Sequence, residues 1–158
     1  MGEAPVSYSR LLGLLRMLED MNGKTDVARL SEESELDIDK LFPVMTFAKT
    51  LGLVEVHDGD ILLTEEGKAF LRMSHDERAK YLKEKLLGIE TFRRVKEELA
   101  RRGFIEKEEV LSKLLDKDFS FCENADEAFE CLVLWGVYAG IFDYDGEEEV
   151  LYPSESDP

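Results

Sequence analysis

The chain has 158 residues, 44% of them hydrophobic and 35% charged, with only four prolines. These proportions belong to a folded globular protein and exclude extensive disorder, and the length suits one ordinary domain or two small ones of about 70 to 80 residues. The formal net charge of -16, from 20 basic and 36 acidic side chains, repels phosphate backbones and anionic lipid at long range, which counts against a nucleic-acid or membrane-surface partner unless the basic groups are segregated.

From Tyr8 to Met21 the apolar residues Leu11, Leu14, Leu15, Leu18 and Met21 recur at steps of three and four, the pattern of an amphipathic helix, and Asn22-Gly23 ends it. Thr25 or Asp26 is positioned to cap a short second helix over VARLSEES, and Asp37 or Asp39 a third running to about Leu51. Pro43 favours a start at Asp39, because a proline deeper in a helix removes a hydrogen bond and clashes with the turn before it. Residues 53–63 then give a strand, a tight turn carrying Asp58-Gly59 and a return strand. Three helices followed by a hairpin is the order of a winged helix-turn-helix unit. Thr64 caps the next helix, EEGKAFLRM, whose two glutamates sit favourably in its first turn.

Ser74-His75-Asp76-Glu77 is a capping-box pattern that opens a connector helix ending at Gly88. Beyond it the programme recurs. Helices are expected from about Thr91 to Arg102, closed by Gly103, from about Glu106 to Leu115, and from near Asn124 onward. GIFDYDGEEEVLYP at 140–153 then aligns with GLVEVHDGDILLT at 52–64, with about one extra residue in its loop. An internal repeat is a stronger signal than either copy alone. The expected fold is therefore mainly α with small β-hairpins (α+β), as tandem winged helix-turn-helix units. The first unit is expected at 1–73, a helical connector at 74–89, the second unit at 90–153 and a disordered tail at 154–158.

No chemistry-bearing constellation emerges. Gly23-Lys24-Thr25 resembles the end of a phosphate-binding loop, but Leu18 stands where the first glycine belongs and a helix rather than a strand precedes it. His57 and His75 lack partners for acid-base work and read as solvated. The acidic run 143–149 does not match a calcium loop and reads as a solvated turn. Cys122 and Cys131 are too few for a disulfide framework and read as buried small hydrophobes; were one helix to hold both, nine positions would set them on opposite faces. The amino terminus lacks a long apolar signal core, and the run CLVLWGVYAGIF is too short to span a bilayer, so a cytoplasmic protein is expected. No enzyme activity, cofactor or metal is expected.

The charge is unevenly spread. Residues 1–70 carry 7 basic and 14 acidic side chains, residues 71–105 carry 10 and 6, and residues 106–158 carry 3 and 16. A DNA-reading winged helix needs cations on its third helix and wing. Here the first unit offers Lys40 and Lys49 against Asp58 and Asp60, and the second crowds its third helix with Glu123, Asp126, Glu127 and Glu130. The central cations, above all Arg93, Arg94, Arg101 and Arg102, form the candidate interaction surface. They suit pairing with the protein's own acidic second half, an acidic protein partner or nucleic acid.

The segments YSRLLGLLRMLEDMNGKTDVARL, DIDKLFPVMTFAKTLGLVEVHDGDILLTEEGKAF and LWGVYAGIFDYD resemble the AAA-associated C-terminal domain family over about residues 8–145. The most specific pieces are Leu41-Phe42-Pro43, LTEEGKAF and the WGxYAxxFDYD ending. The resemblance implies an accessory or regulatory module that works beside the ATPase of nitrate-, sulfonate- or bicarbonate-type ABC transporters through protein-protein contacts. It implies a transporter ATPase as partner and no catalytic residues of its own. The alternative is a winged-helix DNA-binding transcriptional regulator, which the fold and the basic centre keep open.

Overall fold

The computed structural model describes residues 6–115, 122 and 124–154. The molecule is mainly helical with small antiparallel strand pairs, an α+β fold. It divides into two compact units, one ending at Ser74 and one beginning at His75.

The first unit opens with α1 (Tyr8–Asp20), whose N-cap Ser7 accepts a hydrogen bond from the Arg10 amide and whose inner face buries Leu11, Leu14, Leu15 and Leu18. Asn22 and Gly23 both adopt positive φ, and the Gly23 amide returns to the Leu18 carbonyl at 2.7 Å, closing the helix. A short strand β1 (Lys24–Asp26) follows, which the sequence pattern does not predict. Three residues with a polar one at each end carry too little alternation to announce a strand, and β1 exists because it adds to the edge of the later hairpin. Asp26 then caps α2 (Val27–Ser34), accepting from the Arg29 amide at 2.7 Å.

The third helix, α3 (Ile38–Thr50), starts one residue earlier than Pro43 favours, with Asp37 at the N-cap position making no side-chain cap bond. Pro43 thus lies inside the helix and denies the Asp39 carbonyl its donor; Asp39 is exposed, so water reaches that end. The hairpin is as expected. β2 (Val54–His57) and β3 (Asp60–Leu63) are joined by Asp58 and Gly59, both at positive φ, as a two-residue turn matched to strand twist requires. The sheet order is β1-β3-β2, all antiparallel. The unit ends with α4 (Glu65–Arg72), which inserts Phe70 fully into the core.

The second unit contains α5 (His75–Leu86), which packs on its later helix, and α6 (Glu90–Arg102), closed by Gly103 at φ 87°. Strand β4 (Ile105–Glu106) leads into the segment expected as one helix to about Leu115. Only α7 (Lys107–Glu109) is α-helical; Val110–Leu114 forms a π turn. Next comes α8 (Ala125–Tyr138), capped by Asn124 through the Glu127 amide at 2.9 Å. β5 (Phe142–Asp145) and β6 (Val150–Pro153) complete a sheet of order β4-β6-β5. Trp135, Phe92 and Phe142 are fully buried, each contributing on the order of 1.5–3 kcal/mol of burial free energy.

The element order and the strand order recur between the units. So do the joints: Gly52 and Gly140 take φ of 79° and 74° just before each hairpin, and the first helical amide after β1 and after β4 bonds to a hairpin-turn carbonyl, Val27 to Gly59 and Lys107 to Glu149, both at 2.9 Å. The second hairpin departs more than expected. Its loop, Gly146–Glu149, is two residues longer than the first, and Glu149 takes the positive φ. Residues 155–158 of the expected tail lie outside the described residues, while Ser154 is buried.

Candidate functional site

The central arginines come from α6, which has an apolar side of Phe92, Val95 and Leu99 in the core. Arg94, Arg101 and Arg102 share one groove of about 580 Å³ with Glu98, Glu109 and Lys113. Residues 94, 98, 101 and 102 meet there because steps of three, four and seven return to one side of a helix. Arg93 lies one position off that side, is exposed and does not line the groove.

The three groove arginines are engaged within the unit. Arg94 donates to the Lys113 carbonyl at 2.8 Å and the Leu114 carbonyl at 3.5 Å, satisfying the end of the π turn. Arg101 forks onto both carboxylate oxygens of Glu98, at 2.5 and 2.7 Å. Arg102 joins Glu98 at 3.4 Å, makes a short contact to Glu109 and stacks 5.5 Å from the Phe104 ring. The Arg101 hydrogen bond is the main reason the Glu98 carboxyl titrates below its ordinary 4.5; Arg102 adds to the effect and burial opposes it. Arg102 is in turn held more firmly protonated, chiefly by Glu109. Of the three readings left open by the sequence, pairing with the acidic second half is the one realised for Arg102, whose partner Glu109 lies in the acid-rich stretch that begins at residue 106. Arg101 pairs instead with Glu98 on its own helix.

Glu98 was legible from its spacing of three and four to Arg101 and Arg102. Glu109 and Lys113 were not, since only tertiary packing brings the π turn against α6.

The hairpin tips are acidic in both units. In the first, Lys24 lies 3.9 Å from Asp60, and exposed His57 is 3.5 Å from Glu55. In the second, Asp145 accepts from the Glu147 and Glu148 amides at 2.9 and 3.2 Å, so the acidic run is a built turn. Lys107 sits 3.4 Å from Glu149, 3.7 Å from Asp126 and 5.3 Å from the Phe129 ring centre. Burial alone would lower the Lys107 pKa, but these carboxylates outweigh it and raise it.

His75 is exposed, as expected, and its ring also meets Tyr138 edge-on at 5.4 Å, with Nδ1 3.5 Å from the hydroxyl. One helix does not hold both cysteines, so the opposite-face geometry does not arise. Cys122 precedes α8 while Cys131 is inside it, and their Sγ atoms lie 3.9 Å apart.

The family model described as the C-terminal AAA-associated domain matches residues 28–145. The chain belongs to the C-terminal AAA-associated domain family. The match starts within α2, ends on the last residue of β5 and so spans both units. No curated protein and no solved structure matches the chain.

Within this AAA-associated domain, residues of two characteristic segments hold the fold together. In LTEEGKAF, the Thr64 hydroxyl accepts from the Gly67 amide at 2.9 Å and donates to the Gly52 carbonyl at 2.8 Å, tying α4 to the joint before the hairpin. Gly67 is required because a Cβ there would overlap the Leu53 carbonyl oxygen and the Leu63 side chain. In the WGVYAGIFDYD ending, Trp135 is core and Gly136 meets the outer edge of the Phe142 ring, which a Cβ would overlap. No helix among the described residues is long and apolar enough to cross a membrane.

Proposed function

We propose that the chain is a non-catalytic accessory module of an ABC-type transporter ATPase of the nitrate, sulfonate and bicarbonate kind. It acts through protein-protein contacts presented by two winged-helix units, and it works in the cytoplasm, where such an ATPase hydrolyses ATP. The family match across both units carries this reading.

The recurring strand order and the hairpin after each third helix support the winged-helix description. The surfaces support a protein rather than a nucleic-acid partner. Phosphate contacts require cations whose counterions are released on binding, whereas Arg94, Arg101 and Arg102 are already held by carbonyls and carboxylates and both hairpin tips carry acids. The groove offers a fixed pattern of alternating charge, suited to a partner surface that is itself of mixed sign.

ATP turnover by the cognate ATPase, measured with and without the full chain, tests the proposal. A changed rate that saturates with added chain is expected. An unchanged rate, together with tight, salt-sensitive binding of duplex DNA, would replace it with the transcription-regulator reading.

A further inference from the structure

We propose that Cys122 and Cys131 are a thiol-disulfide exchange site that takes a low-molecular-weight disulfide as its co-reactant and ends as an intramolecular bond across the entry of α8. Their sulfurs stand 3.9 Å apart, against about 2.05 Å when bonded. The gap of about 1.9 Å is of the order that rotation of the two side chains about Cα–Cβ closes. Cys122 lies on irregular backbone before the Asn124 cap, so no helical hydrogen bond has to break. These are the only cysteines in the chain, so no other internal pairing competes.

Accessibility sets the order of events. Cys122 is half-buried and Cys131 fully buried, so an incoming disulfide reaches Cys122 first. The Cys122 thiolate attacks one sulfur of the co-reactant, breaks its S–S bond and expels one thiolate. The Cys131 thiolate then attacks the Cys122 sulfur of the mixed disulfide and expels the second. One S–S bond has formed and one has broken; the cysteines have lost two electrons, and the co-reactant has become two thiols that take up the two protons. The hydrogen bond to Cys131, followed by burial, holds the Cys122 thiol above its ordinary range, so little thiolate forms near neutral pH and the exchange is slow there and quickens as pH rises. The product staples the chain ahead of α8 to its second turn and fixes the acidic start of that helix, with Asp126, Glu127 and Glu130. This inference stands independently of the partner reading.

The test uses the reduced full chain incubated with oxidised glutathione at mildly alkaline pH and followed by intact mass and peptide mapping. The expected product is a monomer lighter by about two mass units, the two hydrogens lost, with Cys122 and Cys131 in one linked peptide pair. Cys131→Ser should instead stop at one glutathione on Cys122, and Cys122→Ser should stay unmodified. Two free thiols, a persistent glutathione adduct on the unaltered chain, or a disulfide-linked dimer would each overturn the proposal, whichever variants fold.

Discussion

At the level of single residues, glycines with the same lack of a side chain have opposite roles. Gly67 and Gly136 lie where a Cβ would overlap the Leu53 carbonyl and the buried Phe142 ring, so Gly67→Ala and Gly136→Ala are each expected to lose about 1–3 kcal/mol or more. Gly13 sits inside α1 with nothing within 4 Å of its Cβ position, so Gly13→Ala is expected to gain about 0.5–1 kcal/mol. Urea unfolding of the three variants checks both signs in one series. Thr64→Ala removes a cap and leaves the Gly52 carbonyl without the hydroxyl that donates to it, with an expected cost of about 0.5–2 kcal/mol by the same measurement. The cap was legible in the sequence, because Thr before two glutamates is a helix-start pattern. The need for Gly67 was not, since it depends on a carbonyl fourteen positions away being carried onto α4 by the hairpin.

Elements show the same division between local and non-local causes. Both hairpins, the helices α1, α4 and α6, and the glycines that close α1 and α6 follow from periodicity and turn chemistry. β1 and β4 do not, because Lys24–Asp26 and Ile105–Glu106 become strands only by pairing with β3 and β6. The π turn at Val110–Leu114 is likewise unannounced, and Arg94 holds its carbonyl end. Arg94→Ala is expected to speed amide hydrogen exchange at Val110–Leu115 and to leave the first unit's protection unchanged, as read by exchange mass spectrometry. Within the groove Glu98 has a folded pKa below its ordinary 4.5, so its contribution to stability is present above about that pH and is lost as pH falls through the lower folded value. Glu98→Gln is expected to flatten that acid limb in thermal melts between about pH 3 and 5, around and below the ordinary carboxyl value.

Over the whole molecule, net charge and its placement decide which partners fit. A charge of -16 with acidic tips on both hairpins opposes a polyanion, and three arginines of the basic centre, Arg94, Arg101 and Arg102, are engaged by Glu98, Glu109 and two backbone carbonyls. The candidate site was therefore half legible. The sequence supplied the arginines, but their pairing depends on packing between α6 and the π turn. In fluorescence anisotropy at low salt a labelled duplex is expected to show no saturable binding in the range where even non-specific binders respond. The central claim is that this AAA-associated domain docks on a transporter ATPase. Light scattering after size exclusion of the full chain mixed with the purified cognate ATPase tests it most directly: a single co-eluting species with the summed mass is expected, and two species eluting at their separate masses at every concentration would contradict it.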